Sequence, residues 1–441
     1  MNNNKLFFWS LTIALGGFLF GMDVAVISGA EQTIQKLWSL SDTMHGWAIS
    51  IALYGTVFGA LSGGFFADAL GRKKSLFWVG LLFFVSAVGS AIAQDVYTFM
   101  IFRFAGGFTI GASSVVAPMY ISEIAPAKKR GRLVALFQFN IVFGIMMAYV
   151  CNYFLQGIQN DWRWMLGIVG IPALLFTALT YLLEESPRWL VLKKNNPQAA
   201  LQVLNQIDAE NASSTLAAIE ASKNKTAKIS LGQFFTKKYG WLILLAFLIA
   251  FFNQVSGINA IIYYAPRVFE LTGLGKSAAF LSSAGVGLIN LIFTMLGLAL
   301  IDKLGRRVLM YIGSVGYIIS LGLLAYAFKT QHFDGTVIWV FVFIASHAIG
   351  QGTVIWVFIS EIFPNEARAN GQSLGSTTHW LFAAIIAQVF PLFASGDNPN
   401  GPFYIFAFFT AMMVLQLLFV RFMMPETKGV ALEDMDVRIG H

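Results

Sequence analysis

The chain has 441 residues, of which 57% are apolar and only 12% are charged. Soluble globular domains carry about 25% charged residues, so this composition excludes an ordinary soluble protein and indicates an integral membrane protein. The net charge of +7 does not indicate a nucleic-acid partner, because the basic residues stand between apolar runs and do not gather on one water-facing patch. We therefore expect contact with the lipid bilayer and none with nucleic acid.

Apolar runs recur along almost the whole chain. A helix needs about 20 predominantly apolar residues to cross a bilayer. Runs interrupted by glycine, proline and charged residues predict twelve such helices, at residues 7–29, 46–67, 75–94, 98–121, 133–155, 163–183, 240–265, 278–301, 307–328, 336–359, 371–394 and 402–424. The sequence thus predicts an all-α integral membrane protein whose two termini lie on the same side.

Basic residues mark alternate loops. They cluster at residues 72–74, 128–132 and 303–307, whereas the opposite loops contain mainly isolated lysines. Because cytoplasmic loops carry an excess of lysine and arginine, these loops, both termini and the linker are predicted to be cytoplasmic. The predicted domains are a six-helix bundle at 1–183, a linker with short amphipathic helices at 184–239, a second six-helix bundle at 240–424 and a cytoplasmic tail at 425–441.

The two halves carry the same short motifs in the same order. DALGR after predicted helix 2 recurs as DKLGR after predicted helix 8, and SEIAPAKKRG recurs as SEIFPNEARANG. ESPR ends the first half much as PETK ends the second. Duplicated halves of this kind occur in transporters, where the substrate site lies between the halves near the middle of the membrane.

Acidic residues of these motifs stand where a predicted helix meets the cytosol, beside basic residues of the next loop. Ion pairs there can tie neighbouring helices together in one state of a transport cycle, or they can merely orient the loops. Because the pattern occurs in both halves, we favour a cytoplasmic gate. Its predicted members are Asp68, Arg72, Glu123, Arg130, Glu185, Arg188, Asp302, Arg306, Glu361, Arg368 and Glu426.

From about Gly16 to Gly429 the sequence resembles the sugar porter family of the major facilitator superfamily. The resemblance rests on the strings GMDVAVISGA, GGFFADALGRKKS, RFAGGFTIGASSVVAPMYISEIAPAKKRG, ESPRWL, NQVSGINAIIYYAP, DKLGRR, SEIFPNEAR and PETKG. It implies the major facilitator fold, with two pseudo-symmetric six-helix bundles, and transport of a monosaccharide by alternating access. The chain is most similar to bacterial proton-coupled pentose and hexose symporters, which implies the bacterial inner membrane.

Asp23 and Arg103 stand well inside apolar runs of the first half. A carboxylate near the bilayer centre costs at least about 2.5 kcal/mol, so its presence suggests a function. Burial favours the protonated carboxyl, whereas a nearby guanidinium favours the carboxylate. In proton-coupled members of the resembled family, the aspartate matching Asp23 is the coupling carboxylate, which implies symport. The alternative is a permanent structural ion pair.

A sugar offers hydroxyl groups at its rim and C–H groups on its faces, so its site needs amide side chains and aromatic rings. Amides that pair helices with one another are the alternative interpretation. Candidate binding residues are Phe20, Gln138, Asn253, Gln254, Asn259, Tyr263, Asn290, Trp356, His379 and Trp380. The resemblance places five of them at sugar-contacting positions of the family, namely Gln138, Gln254, Asn259, Asn290 and Trp356.

Some positions depart from the family. Asn253 stands where the family commonly has glutamine, and His379 stands where it has glutamine or asparagine. Ile145 and Ala383 replace amides, so the family's sugar preference is not transferred. We expect His379 to act as a neutral hydrogen-bonding group, with a proton relay as the alternative, and His347 to pack without a polar partner. Glycine with polar neighbours at residues 256–259 predicts a local break in helix 7 that closes the extracellular entrance.

Other classes of function are less consistent with the sequence. An enzyme would need a nucleophile with a base, a metal cluster or a phosphate loop, and no such motif is present. We therefore expect no enzymatic activity, no cofactor and no bound metal. A sugar-sensing receptor would be expected to carry long cytoplasmic extensions. A facilitative uniporter on the same scaffold is the main alternative, and Asp23 discriminates against it. We expect a monomer.

Overall fold

The computed structural model describes residues 3–222, 229–364, 366–394 and 398–429, without the side chains of residues 3, 4, 127–132 and 134. The described residues form nineteen α-helices and no strand. The helices are α1 (Asn3–Leu37), α2 (Asp42–Leu70), α3 (Arg72–Ile92), α4 (Val96–Ile124), α5 (Ala127–Leu155), α6 (Asp161–Gly167), α7 (Gly170–Tyr181), α8 (Pro187–Leu192), α9 (Pro197–Asp208), α10 (Ala212–Ala221), α11 (Leu231–Phe234), α12 (Gly240–Val255), α13 (Ile258–Leu271), α14 (Lys276–Leu304), α15 (Arg306–Thr330), α16 (Thr336–Ile349), α17 (Gln351–Ile362), α18 (Arg368–Ala394) and α19 (Gly401–Phe422).

Twelve helical segments of the described chain are long and apolar enough to cross a membrane, which confirms the predicted number of spans. Most of their ends lie within a few residues of the predicted ones. The first and seventh spans differ more, because they end at Leu37 and Leu271 and were predicted to end at residues 29 and 265. The first span continues through Glu31, whose charge is neutralised by partners described below.

Many large apolar side chains are exposed on the outside of the spans. Phe65, Phe154 and Phe422 are each more than 70% exposed. A soluble monomer rarely exposes large contiguous apolar surfaces, whereas the hydrocarbon core of a bilayer accommodates such side chains. These residues are therefore placed to contact lipid.

Three spans are interrupted within their length. The sixth span breaks between α6 and α7, the seventh between α12 and α13, and the tenth between α16 and α17. Only the break in the seventh span was predicted, and it lies at Gly257, where φ is +86° and a side chain would be strained. The tenth span breaks at Gly350, whose φ of −91° and ψ of −98° are not helical.

Tyrosine hydroxyls fill two further gaps in the helical hydrogen-bond pattern. Proline lacks an N–H group, so Pro266 and Pro391 each free the carbonyl four residues earlier. Tyr149 donates a hydrogen bond to the Ile262 carbonyl at 2.7 Å, and Tyr264 donates one to the Ala387 carbonyl at 2.9 Å. Both kinked helices thereby avoid an unpaired carbonyl in a dry environment.

The chain divides into two compact units. The described parts of residues 1–23, 54–145 and 166–227 form unit 1, and those of residues 24–53, 146–165 and 228–441 form unit 2. The second part of α1, the first part of α2 and the end of α5 thus pack within unit 2. The division into six-helix halves at residues 183 and 240 stays a prediction from the sequence repeat.

The linker carries short helices. In unit 1, Asn196 caps α9 by accepting a hydrogen bond from the Ala199 amide at 3.0 Å, and Pro197 begins the helix. One face of α9 is apolar and buried, formed by Ala200, Val203, Leu204 and Ile207. This arrangement accounts for the amphipathic pattern seen in the sequence of this segment.

Candidate functional site

The buried ion pair between α1 and α4 lies in unit 1. Arg103 donates a hydrogen bond to Oδ1 of Asp23 at 2.8 Å and a longer one of 3.4 Å to the Asp23 carbonyl. Both side chains are almost completely buried. Oδ2 of Asp23 and Nε of Arg103 have no hydrogen-bond partner among the described residues. The carboxylate therefore uses only one of its two oxygen atoms in this pair.

An amide cluster lies in unit 2, around the break of the seventh span. Asn259 donates a hydrogen bond to Oε1 of Gln254 at 2.6 Å, and Gln254 donates one to Oδ1 of Asn253 at 2.7 Å. Nε2 of Gln254 also lies 3.1 Å from Nε2 of His379. The break places Asn259 in the first turn of α13, so it meets the two amides at the end of α12.

Aromatic rings border this cluster. The ring centres of Trp356 and His379 lie 5.1 Å apart, and those of His379 and Trp380 lie 4.7 Å apart. Trp356 is 37% exposed, whereas Trp380 is buried and Tyr263 is fully buried. A partly exposed indole beside a set of amides has the chemistry that a sugar face requires.

The remaining candidate binding residues are more dispersed. Asn290 of α14 accepts a hydrogen bond of 3.4 Å from Thr294 on its own helix. Phe20 and Gln138 belong to unit 1. Gln138 is half-buried, and its amide has no hydrogen-bond partner among the residues that the structure describes. The expectation that His347 lacks a polar partner is wrong, because its Nδ1 lies within hydrogen-bonding distance of the Tyr317 hydroxyl.

Arg72 is the centre of a polar cluster in unit 1 (the Arg72 cluster). Its guanidinium binds both carboxylate oxygens of Glu123 at 2.8 Å and Oδ1 of Asp68 at 3.2 Å. Glu185 accepts hydrogen bonds from the backbone N–H groups of Arg72 and Ser186 at 2.8 Å. Burial raises the pKa of Glu185 above its usual value, and these N–H groups oppose that change.

Arg306 repeats this arrangement in unit 2 (the Arg306 cluster). Its guanidinium binds both carboxylate oxygens of Glu361, at 3.0 and 2.7 Å, and Oδ1 of Asp302 at 3.0 Å. Glu426 accepts from the backbone N–H groups of Arg306 at 3.0 Å and Arg307 at 2.9 Å. The duplicated motifs of the sequence therefore build the same constellation twice, and each copy joins helices of its own half.

Three predicted gate residues lie outside these clusters. Arg188 is exposed and forms no ion pair with a described residue. Arg368 donates a hydrogen bond of 3.3 Å to the Phe363 carbonyl, and no acidic side chain of the described chain pairs with it. The side chain of Arg130 lies outside the described residues.

Sequence reasoning missed a third buried charge cluster, here called the Glu31 cluster. Arg267 of α13 binds both oxygens of Glu31 in α1, at 2.9 and 2.8 Å, and also Oε1 of Gln35 at 2.6 Å. Nε2 of His45 in α2 lies 3.0 Å from Glu31. Glu31 and His45 are completely buried. All four residues belong to unit 2, where they join α1, α2 and α13.

Comparison with known proteins places these features in a family. The family model described as sugar (and other) transporter matches residues 9–438. The chain belongs to this sugar transporter family.

Its relatives match it over nearly the full length of each chain. The arabinose-proton symporter of Bacillus subtilis (strain 168) is 37% identical, with 97% of this chain and 93% of the relative covered. The D-xylose-proton symporter of Escherichia coli (strain K12) is 34% identical, covering 99% and 96%. The inward-open structure of the xylose transporter XylE from E. coli has a TM-score of 0.86 at 33% identity, covering 98% of this chain and 99% of that one.

These similarities establish the class of protein. The chain is a multi-pass membrane protein with the major facilitator fold, all-α with twelve membrane-spanning helices, and a transporter, not an enzyme. The fold, the family and the absence of an enzymatic role were all predicted from the sequence. The roles of individual residues, the orientation of the termini and the oligomeric state stay predictions.

The Arg72 and Arg306 clusters depend on glycine at one position each. Gly71 and Gly305 have φ of +95° and +93°, and an added Cβ would collide with Glu185 and Glu426, respectively. Replacing Gly71 with alanine should lower the free energy of unfolding by about 1–3 kcal/mol, because that backbone conformation is almost restricted to glycine. Thermal unfolding in detergent measures this loss. Gly64→Ala is the control, since nothing lies within 4 Å of its added Cβ. Equal stability of the two variants would contradict the prediction.

The Glu31 cluster predicts strong energetic coupling between its charges. Arg267→Met should cost about 3–5 kcal/mol of unfolding free energy, because it leaves the buried Glu31 carboxylate without its main partner. Adding Glu31→Gln to that variant should recover part of the loss. A double-mutant cycle measures the coupling.

The exposed pair of Lys238 and Glu366 provides the control cycle for this measurement. Its coupling should stay below about 1 kcal/mol, as for other surface ion pairs. Additive losses for Glu31 and Arg267 would show that they do not form a coupled pair.

Proposed function

We propose that the protein imports a monosaccharide together with a proton by alternating access. The observation that carries this proposal is the buried Asp23, paired with Arg103 through one oxygen and unpaired at the other. The relatives named as arabinose-proton and D-xylose-proton symporters support it. We further propose that the protein is a monomer of the bacterial inner membrane with both termini in the cytoplasm.

Asp23 is proposed as the proton-coupling residue and Arg103 as its partner. A proton can bind at Oδ2, the carboxylate oxygen that Arg103 does not occupy. Protonation removes the charge of Asp23, so the electrostatic attraction to Arg103 is lost and the two helices are freer to move. The guanidinium of arginine is charged over the whole physiological range of pH, so the proposal assigns the proton to the carboxyl group.

The membrane potential supplies enough free energy for uphill transport with one proton. A potential of ~150 mV is worth about 3.5 kcal/mol for one charge. Since about 1.4 kcal/mol corresponds to a tenfold concentration ratio, this energy supports accumulation of a few hundredfold.

Sugar binding is proposed for the amide cluster and the aromatic rings beside it. Asn259 and Gln254 would exchange hydrogen bonds with sugar hydroxyls, and Trp356 would pack against a sugar face. Further proposed contacts are Phe20, Gln138, Asn253, Tyr263, Asn290, His379 and Trp380. Arabinose, xylose and glucose are the sugars in the names of curated relatives, so a pentose or hexose is the expected class of substrate.

The two arginine clusters are proposed to stabilise each half as a rigid body on the cytoplasmic side. Bidentate pairs between arginine and glutamate are strong and geometrically specific, so they resist separation of neighbouring helices. We propose that the Glu31 cluster holds the opposite face of the membrane closed, since α13 bears Arg267 just beyond the break of the seventh span. In this proposal the ion pairs of the Glu31 cluster act together with the predicted bending of the seventh span.

Asp23→Asn should abolish uphill accumulation but retain equilibrative exchange of sugar. Asparagine keeps the shape and accepts the hydrogen bond of Arg103, but it cannot bind a proton at neutral pH. Uptake of D-xylose, L-arabinose and D-glucose into sealed vesicles with an imposed proton gradient measures the effect. Asp95→Asn is the control, because Asp95 is an exposed helix cap.

Two results would count against proton coupling. Full accumulation by Asp23→Asn would contradict the role of this carboxyl. Failure of the wild-type protein to accumulate any tested sugar, with equilibrative exchange intact, would identify a facilitative uniporter.

Gln254→Leu should raise KM for the transported sugar about tenfold or more. It removes a hydrogen-bonding side chain from the proposed site and leaves Asn253, Asn259 and His379 without a shared partner. Gln156→Leu is a matched control, because Gln156 is half-buried just beyond the end of α5 and its side chain donates only to the Tyr153 carbonyl, three residues earlier. Initial rates of uptake over a range of sugar concentrations provide the measurement. An unchanged KM would exclude Gln254 from the site.

A further inference from the structure

A row of buried amide side chains, which ends at a serine hydroxyl, continues from the proposed sugar site into the interior of unit 2. Beyond Asn253, its members are Gln351 in α17, Gln416 in α19 and Ser314 in α15. Asn253 donates a hydrogen bond to Oε1 of Gln351 at 3.4 Å. Gln351 donates to Oε1 of Gln416, and Gln416 donates to Oγ of Ser314, both at 2.8 Å. We call the six residues Asn259, Gln254, Asn253, Gln351, Gln416 and Ser314 the amide chain.

All hydrogen bonds of the amide chain run in one direction. Each amide accepts through its oxygen from the residue before it and donates through its nitrogen to the residue after it, beginning with Asn259 as donor and ending with Ser314 as acceptor. Turning one amide over would bring two N–H groups or two oxygens together. The direction of each amide is therefore fixed by its neighbours.

Gln351 and Gln416 cannot touch a sugar in this arrangement, because both side chains are completely buried. An unpaired polar group at such a depth costs about 1–3 kcal/mol, so both amides need their partners. The hydrogen bonds of Gln351 and Gln416 therefore also fix the orientation of the amides at the other end of the amide chain, in the proposed sugar site. Oε1 of Gln254 is occupied by Asn259, while Oδ1 and the second N–H of Asn259 are left for a ligand.

The amide chain also joins the seventh and tenth spans at their breaks. Gln351 is the first residue of α17, directly after the break at Gly350. Its partner Asn253 lies in the last turn of α12, shortly before the break at Gly257. At each break a side chain bonds a backbone carbonyl, Ser256 to Asn253 and Thr353 to Ala348, so side chains contribute to the local geometry at both places.

We propose that Gln351 and Gln416 are positioning residues for sugar recognition. They hold Asn253, Gln254 and Asn259 in one donor and acceptor pattern and thereby determine which sugar hydroxyls are recognised. This inference rests on the proposed function, since it assigns the amide cluster to sugar binding. A purely structural role, in which these amides only hold helices together, is the outcome that the experiment must separate.

Gln416→Leu tests the proposal in the full-length protein reconstituted into vesicles. The variant removes the acceptor of Gln351 and frees the amides beyond it to turn over. We expect KM for the best substrate among D-xylose, L-arabinose and D-glucose to rise about tenfold, with the maximal rate within twofold of wild type. Discrimination of D-glucose from 2-deoxy- and 6-deoxy-D-glucose should fall by a similar factor.

Two matched variants identify the cause. Gln416→Glu with a protonated carboxyl can still accept from Gln351 and donate to Ser314, so its KM and its discrimination should stay within about threefold of wild type. Gln156→Leu removes an amide that is not part of the amide chain, so it should change neither KM nor discrimination. Accumulation driven by the proton gradient at saturating sugar should be unchanged in all three variants, because Asp23 and Arg103 are intact.

Several results would overturn the proposal. An unchanged KM and unchanged discrimination in Gln416→Leu would exclude positioning. A loss of maximal rate and of thermal stability without a change in discrimination would show a purely structural role. If Gln416→Leu does not fold, Ser314→Ala decides the question. It should raise KM and weaken discrimination, and Ser314→Thr should restore both. Failure of the wild-type protein to transport any tested sugar would instead remove the proposed function itself.

Discussion

Polar groups inside the hydrocarbon layer must find their partners within the protein, because lipid offers none. The structure satisfies this constraint at several places where the chain departs from an unbroken apolar helix. Tyrosine hydroxyls reach the carbonyls freed by Pro266 and Pro391, and Ser256 donates to the Asn253 carbonyl at 2.6 Å beside the break of the seventh span. Thr353 donates to the Ala348 carbonyl at 2.7 Å across the break of the tenth span. The proposed sugar site lies among helices that are interrupted in this way.

Because of the same constraint, polar groups that lack some of their hydrogen-bond partners are candidates for a function. Most buried polar atoms in proteins have a hydrogen-bond partner, so each exception calls for an explanation. In unit 1, Oδ2 of Asp23 is such an exception beside a permanently charged guanidinium. In unit 2, Asn259 has spare hydrogen-bonding capacity at the end of an otherwise ordered row of amides. A proton and a sugar are the ligands that we propose for these two groups.

The fold was predictable from sequence to a large extent, because the signals that define it are local. Runs of about 20 apolar residues mark the spans, and the repeated DALGR and DKLGR motifs mark equivalent positions in the two halves. The constellation around Arg72 and its copy around Arg306 follow from that repeat. The lack of acidic partners for Arg188 and Arg368 among the described residues was not predictable in this way, since the repeat fixes their spacing along the chain but not the direction of their side chains.

Long-range partners account for most of what sequence reasoning missed. Glu31 and Arg267 lie 236 residues apart, and the predicted first span ended before residue 31. Gln351 and Gln416 stand on separate helices, and their connection to Asn253 depends on how four helices pack. The break at Gly350 was not predicted, since a glycine in an apolar run also occurs where helices merely pack closely.

The burial of the Glu31 cluster has a consequence for the surroundings in which the protein can work. Mobile ions screen exposed charges within about 10 Å at 0.1 M salt, but they act much less on pairs that solvent does not reach. Glu31 and His45 are fully enclosed and Arg267 is nearly so. The attraction that joins α1 to α13 is therefore largely independent of ionic strength, and the strength of this contact should be almost the same in dilute and in saline media.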